Sequence, residues 1–319
     1  MSPLTASPAR RIVVTARDVE VLLSLFKYRY LTLSQLERLH FASTQTAARR
    51  LRLLAGAGYV SLFRSPAVTD RIALLARGGL RVVAERLAIP PAGLERSRAR
   101  FRPKDHLFLQ HALAIADFRI ALTRACALRD DVRLLGFLAD HVVERSDRGR
   151  ISRFTRDCAA DIARPGGPVA HTPDGVFALE CGGASALGFL EVDRGTETVS
   201  DRERGVAKIL RFYLNYLAGG GYSRYQEVFG VAGPFAAVRV LIATTSKRRI
   251  ETIRSVGASL GFEPRRALQF IWLTEIGSVN EQSVFDQIWV PLDPAVKSTF
   301  GILPKRDPSG SDTRERAGS

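Results

Sequence analysis

The stretch LGFLEVDRGTETVSDRERGVAK, residues 187–208, decides the reading of the larger, C-terminal part of this chain. An apolar run of strand character ends on Glu191 and Asp193, two acids on alternate residues. Residues two apart on a strand point to one side, so both carboxylates meet the same space while Val192 faces away. Upstream, VFALECG (176–182) and ALGFLEVDRG (186–195) read as two strands of a hairpin separated by the small residues GGASA. Asp174, in TPDG, begins the first of these strands, and antiparallel pairing brings it beside the other two acids. Converging carboxylates repel unless a cation or a proton offsets them, and Mg²⁺ chooses oxygen ligands of this kind. Asp174, Glu191 and Asp193 are therefore candidate metal ligands. Such an ion polarises a phosphate and activates a water, the chemistry of phosphodiester cleavage, with Glu191, Asp193 and Lys208 as candidate catalytic groups. The same acids also fit an ordinary solvated strand end or partners for Arg194 and Arg202.

Outward from this stretch the order is α/β. Downstream, a helix over about Val199–Leu217 carries Val206, Ile209, Tyr213 and Leu217 on its inner stripe. Lys208 falls about 155° from the middle of that stripe at 100° per residue. AVRVLIATTSKRRIETIRSVGASLG (237–261) is a strand running into another helix. Upstream, DHLFLQHALAIADFRIALTRACAL (105–128) is one long helix with Leu107, Ala114, Ile115, Phe118 and Leu122 inside. His111 lies on that stripe too, as a core residue or as support for a site. VRLLGFLAD and HVVERS have strand character, and ARPGGPVAHTPDG (163–175) reads as a loop.

Charge separates the two ends of the chain. The 319 residues carry a formal net charge of +15. Through Lys104 there are 19 Lys and Arg against 6 Asp and Glu, and from Asp105 onward 28 against 26. A general arginine bias would spread the excess evenly, so the basic third reads as a polyanion-binding module attached to a near-neutral remainder. A membrane surface would call for a basic amphipathic helix with exposed aromatics, which this pattern lacks. No apolar run reaches the roughly 18 residues of a membrane span, and MSPLTASPARR has no signal-peptide core, so a cytoplasmic location is expected. The 3 cysteines form no CxxC pair, which argues against a disulfide framework or a zinc knuckle.

The basic third has its own pattern. TARDVEVLLSLFKYRYL opens on a Thr15–Asp18 capping pair and places Val19, Leu22, Leu23 and Phe26 at helical spacing. TLSQLERLHF opens on a second box, Thr32–Gln35, with Leu33, Leu36 and Leu39 on one face. In STQTAARRLRLLAGAGYV, Ala47, Leu51 and Leu54 make the buried stripe and Gly58 the left-handed stop. Gln45, Thr46, Arg49 and Arg52 then project outward, with Arg50 at the flank. Arginine forks onto guanine or phosphate and glutamine pairs with adenine, so these are candidate DNA contacts. YVSLFRS and DRIALLA form a wing around PAVTD that carries Arg64 and Arg71 to the backbone. A further helix, ARGGLRVVAERLAI, precedes a basic, Pro-rich connector. Three helices and a hairpin in this order resemble a winged helix-turn-helix. The domain limits are a flexible N-terminus at 1–14, a winged helix at 15–89, a linker at 90–104, a second domain at 105–303 and a disordered tail at 304–319.

As a whole the chain resembles the replication-relaxation family of plasmid- and mobile-element-associated proteins, over roughly residues 15–295. The blocks that carry the resemblance are AARRLRLLAGAGYV, HALAIADF, TPDG, GFLEVDRGTE, KILRFYLNY and RVLIATTSKRRI, in that order. The resemblance implies a fold of mixed α/β (α+β) class, an N-terminal winged helix-turn-helix followed by a domain similar to the restriction-endonuclease-like, PD-(D/E)xK, fold. It also implies an association with plasmid replication and DNA relaxation. Carried onto this sequence, the nuclease motif is Asp174 and Glu191, with Asp193 where the superfamily usually has lysine. Some members are similar in placing the basic residue on the next helix, which nominates Lys208 with Tyr213 in support. Thr196 and Glu197 match the family block without an assigned role.

The preferred expectation is a DNA-binding protein of plasmid or mobile-element maintenance whose second domain keeps the shape of a nuclease, active or not. The alternatives are an active Mg²⁺-dependent nickase and a transcription repressor binding duplex DNA as a homodimer. A tyrosine relaxase using Tyr213 or Tyr216 lacks a histidine cluster, since His111 and His171 stand isolated in the sequence.

Overall fold

The computed structural model describes residues 12–66, 68–88, 90, 102, 104–145, 151–160, 167–196, 198–200, 205–261 and 265–303. Most of the expected N-terminal segment and of the 90–104 linker, the whole 304–319 tail and Glu197 lie outside the described residues. The chain is mixed α/β and divides into two compact units after Ile120. The division falls inside a helix, not in the basic connector.

In the first unit, α1 (Ala16–Tyr28) starts at the expected capping box: the Thr15 N–H donates to Asp18 Oδ2 at 2.7 Å and the Asp18 N–H to Thr15 Oγ1 at 3.3 Å. The two-residue β1 (Leu31–Thr32) leads into α2 (Leu33–His40), capped in the same reciprocal way by Thr32 and Gln35. α3 (Thr44–Gly56) is capped by Ser43 and ends before Gly58, whose φ of +76° suits a residue without a Cβ. β2 (Val60–Ser65) and β3 (Val68–Leu75) form an antiparallel hairpin, and β1 pairs with the far side of β3. α4 (Arg77–Arg86) packs back onto the hairpin. The turn between the strands is shorter than PAVTD, because Val68 and Asp70 already belong to β3.

The core of this unit differs in phase from the sequence reading. α1 buries Val21, Leu22, Leu25 and Tyr28, while Val19, Leu23 and Phe26 are only partly covered. Its middle is apolar almost all round, so spacing alone admits two stripes, and the partners Leu36, Leu51 and Ile72 select one. Close approach fixes α4: a Cβ on Gly79 would lie 2.2 Å from the Tyr59 carbonyl oxygen and 2.9 Å from Leu75. Gly79→Ala is expected to cost about 1–3 kcal/mol through overpacking, measured as a lower urea midpoint.

α5 (His106–Ala127) follows, and its Leu109, Leu113 and Ile120 close the first core. Leu107, expected inside, is 52% exposed because at 100° per residue it lies about 160° round the helix from the buried Leu109.

The second unit is built on a six-stranded sheet. β4 (Val132–Ala139) is followed by two small ribbons, β5 (Val143–Arg145) with β6 (Ile151–Arg153), and β7 (Asp157–Ala159) with β8 (Val169–His171). β9 (Gly175–Cys181) and β10 (Ala184–Asp193) form the expected hairpin, but it turns on Gly182 and Gly183 alone, both with positive φ, and Ala184 already pairs with Cys181. α6 (Val206–Ala218) crosses over, with α7 (Tyr225–Phe229), to β11 (Ala237–Thr244), which lies parallel to β10. α8 (Lys247–Ser259) crosses to β12 (Ile271–Glu275), again parallel, and β13 (Val290–Pro291) closes the edge. The order across the sheet is β13-β12-β11-β10-β9-β4.

α6 begins at Val206, not near Val199, and it is buried on most of its surface. Val206, Ala207 and every residue from Leu210 to Tyr216 are covered, because Leu187 and Phe189 of the sheet and Ile253 of α8 join the same core. The segment expected to be a loop before TPDG contains β8, whose three residues pair with β7. Among the described residues no helix is long and apolar enough to cross a membrane.

Candidate functional site

The acids at the end of β10 do not converge. The hairpin register pairs Gly175 with Leu190, which sets Asp174 at the same end, and Asp174 Oδ2 accepts the Val192 N–H at 2.8 Å. Glu191 is 6% exposed. Its Oε1 accepts the Tyr213 hydroxyl and lies 2.7 Å from Nε2 of His171. Asp193 turns the other way. Arg249 of α8 grips it from Nε at 2.7 Å and Nη2 at 3.0 Å, while the Thr244 hydroxyl donates at 2.7 Å and the Gly195 N–H at 3.0 Å. Both oxygens of Asp193 are therefore committed, and the forked geometry is among the stronger charge-assisted contacts.

The ligand set expected for Mg²⁺ is thus not assembled. Among the described residues no three His, Cys, Asp or Glu are grouped so that they could hold a metal ion. The same-face reading of Glu191 and Asp193 is correct for the backbone, but a guanidinium supplied 56 residues later draws one carboxylate aside. Lys208 is half-buried in the first turn of α6, close enough for its charge to act on His171. His111 sits half-buried on α5 in the first unit, whereas the acids belong to the second. Thr196 is exposed at the strand's exit.

Burial and charge tune these groups in opposite directions. Burial raises the Glu191 carboxyl above its usual range, with His171 only partly offsetting it. Burial opposes a charge on His171, yet the charge and hydrogen bond of Glu191, helped by Asp174, raise its pKa. Tyr213 is held far above the ordinary phenol range by burial and by the neighbouring carboxylates. For Asp193, burial is outweighed by Arg249, Thr244 and Gly195, and the pKa falls.

A pH dependence follows with a definite sign. His171 binds its proton more tightly folded than unfolded, so its contribution is complete below its ordinary 6.5 and is lost as pH rises through the folded value. Asp193 does the reverse, contributing above 3.8 and losing that contribution as pH falls through its lowered value. The urea midpoint is therefore expected to fall from about pH 6.5 upward, with the raised Glu191 carboxyl acting in the same direction, and His171→Ala should lose the imidazole's share of that fall.

The exposed cations of the first unit form the second candidate. Gln45, Thr46, Arg49 and Arg52 are exposed along α3, and Arg64 and Arg71 are exposed on β2 and β3. A cleft of about 320 Å³ lies between α3 and the hairpin, with Leu51, Leu62 and Ala73 in its wall and Arg52 and Arg71 in its lining. Arg50 does not belong to this surface. Its Nε donates to Asp18 Oδ1 at 2.8 Å, its Nη2 to Asp18 Oδ2, and the same Nη2 to the Val13 carbonyl at 2.8 Å. The buried acid of the α1 capping box needs a cation, and among the described residues Arg50 supplies it.

Sequence reasoning missed His171, Arg249 and Thr244. The last two lie in a block already singled out, and Thr244 pairs in register with Asp193 across β10 and β11. Parallel pairing of those strands was the signal available for both.

With this geometry in place, the family can be stated. A family model described as Replication-relaxation matches residues 22–232, and the chain belongs to that family. The match runs from α1 to just beyond α7, takes in the acids and the exposed row of α3, and ends before Thr244 and Arg249. No curated protein and no solved structure matches the chain. Membership suggests a role in plasmid or mobile-element replication.

Proposed function

We propose that this protein binds duplex DNA through its first unit in the replication or relaxation of a plasmid or mobile element, with α2 and α3 as a helix-turn-helix and β2–β3 as its wing. The observation that carries this is the exposed row Gln45, Thr46, Arg49 and Arg52 on the second helix of a tight pair, beside Arg64 and Arg71 on the hairpin. Helices so placed enter the major groove, and a cationic hairpin follows the adjacent backbone. The cleft between them has an apolar wall suited to a thymine methyl, with Arg52 beside it for a base edge and Arg71 for phosphate.

The second unit is read as a nuclease-like scaffold. Supporting this are the antiparallel run β4, β9, β10 followed through a helix by the parallel β11, with an acid at the end of β10. Its acids are engaged by His171, Tyr213, Arg249 and Thr244, which favours a DNA-binding factor over an active Mg²⁺-dependent nickase. Recognition by a homodimer belongs to the same reading, since winged helices commonly take two half-sites.

The test is the affinity for a fluorescent duplex as salt rises from about 50 to 200 mM. Four phosphate contacts give a log–log slope of about −3.6, so binding should weaken by about 10² over that range. Affinity insensitive to salt overturns the reading of the first unit. Plasmid nicking that needs Mg²⁺ and disappears in Glu191→Gln overturns the reading of the second.

A further inference from the structure

The acid end of β10 is where a divalent cation is expected, and the residues around it do not fit one as they stand. We propose that His171 serves as the resident counterion of Glu191, in the place of a metal ion, and that Asp174 and Glu191 form a latent divalent-cation site opened only by removing the imidazole. This concerns the second unit alone and stands whether or not the first unit binds DNA.

Three observations carry it. The first is occupancy. Glu191 Oε1 takes both the His171 Nε2 contact at 2.7 Å and the Tyr213 hydroxyl, which uses the lone pairs of that oxygen. A Mg²⁺ ion binds oxygen at about 2.0–2.1 Å and cannot reach Oε1 while the imidazole holds its contact there.

The second is confinement. The imidazole and the carboxylate are only 18% and 8% exposed, and the ring packs against Phe212 at 5.2 Å and edge-on against Tyr213 at 5.5 Å between centroids. Both aromatic residues lie on α6, which is fixed in the core, so His171 cannot swing aside cheaply.

The third is charge. The ionisable groups acting on His171 are Glu191 from β10, Asp174 from the start of the hairpin and Lys208 from α6. The carboxyl groups of Asp174 and Glu191 thus already have two basic side chains beside them. A buried carboxylate stripped of its partner is costly. The cluster therefore works as a clamp joining β8, β10 and α6, and it gains a vacancy for a cation only when His171 is gone.

The experiment is Mn²⁺ titration of the full chain, read by loss of the free-ion EPR signal, for wild type, His171→Ala, His171→Gln and Glu191→Gln. Wild type and Glu191→Gln should show no saturable site at millimolar Mn²⁺. His171→Ala should gain one site per chain, removed again by adding Glu191→Gln. His171→Gln removes the ring while keeping a hydrogen-bond donor, and it should show the same gain even if the alanine variant fails to fold. Saturable binding in wild type that Glu191→Gln abolishes overturns the proposal. So does a folded His171 variant that gains no site.

Discussion

Replacing Arg49 and Arg52 together with alanine is expected to lower the affinity for duplex DNA by two orders of magnitude or more while leaving stability within about 0.5 kcal/mol. A well-placed arginine contact to a base edge discriminates by about 1–3 kcal/mol, and 1.4 kcal/mol is a factor of ten. Two such side chains therefore account for about 10²-fold even near the lower end. Neither arginine holds the fold: both are exposed, and the hydrogen bond described for Arg52 runs from Nε to the Ala48 carbonyl of its own helix at 3.2 Å. The control is Arg77→Ala/Arg81→Ala on α4, where two exposed arginines leave with the same change in net charge. Fluorescence anisotropy at fixed salt separates the cases. Equal losses in the two doubles would mean that net charge binds DNA and that α3 has no special role.

The elements most readily found in the sequence were those set by neighbours a few residues away. Both capping boxes and the α3 stripe of Ala47, Leu51 and Leu54 stand where the residues put them, because a box closes over three positions and that stripe has polar residues on its other face. The phase of α1 was not legible, since an apolar middle leaves the choice to tertiary partners. At the site, the alternation along β10 and the approach of Asp174 follow from strand geometry and the hairpin. What they do next does not. Asp193 is claimed by Arg249 and Glu191 by His171, contacts that require knowing how β11 and the β7–β8 ribbon lie against β10. His171 was hidden further by the Pro and Gly residues around it, which outweighed a strand of only three residues. The cations weighed from the sequence were the neighbouring Arg194 and Arg202, whereas the one that holds Asp193 comes from Arg249, 56 residues on.

Arg50 was assigned to DNA with its neighbours, and the structure gives it another task, so its removal should act on stability instead of affinity. Asp18 is fully buried and its pKa is lowered: burial works against the charge, but the bond from Arg50 and the Thr15 donors outweigh it. Arg50→Ala leaves that carboxylate buried without its cation, an arrangement that costs about 3–5 kcal/mol when both partners are dry. Arg50 itself is 25% exposed, which places the expected loss near 3 kcal/mol on that scale. The pH profile identifies the cause. In wild type the Asp18 contribution is present above its ordinary 3.8 and is lost as pH falls through the lowered folded value. Without Arg50, only the Thr15 donors oppose burial and the carboxyl protonates at higher pH than in wild type, so the variant recovers part of its deficit as the solution is acidified. Urea unfolding of both proteins from pH 7 down to about 4 should show the two midpoints approaching one another. At temperatures where the variant remains folded, its DNA affinity should stay within a few-fold of wild type. A large loss of affinity with an unchanged urea midpoint would return Arg50 to the DNA surface and make the Asp18 contact incidental.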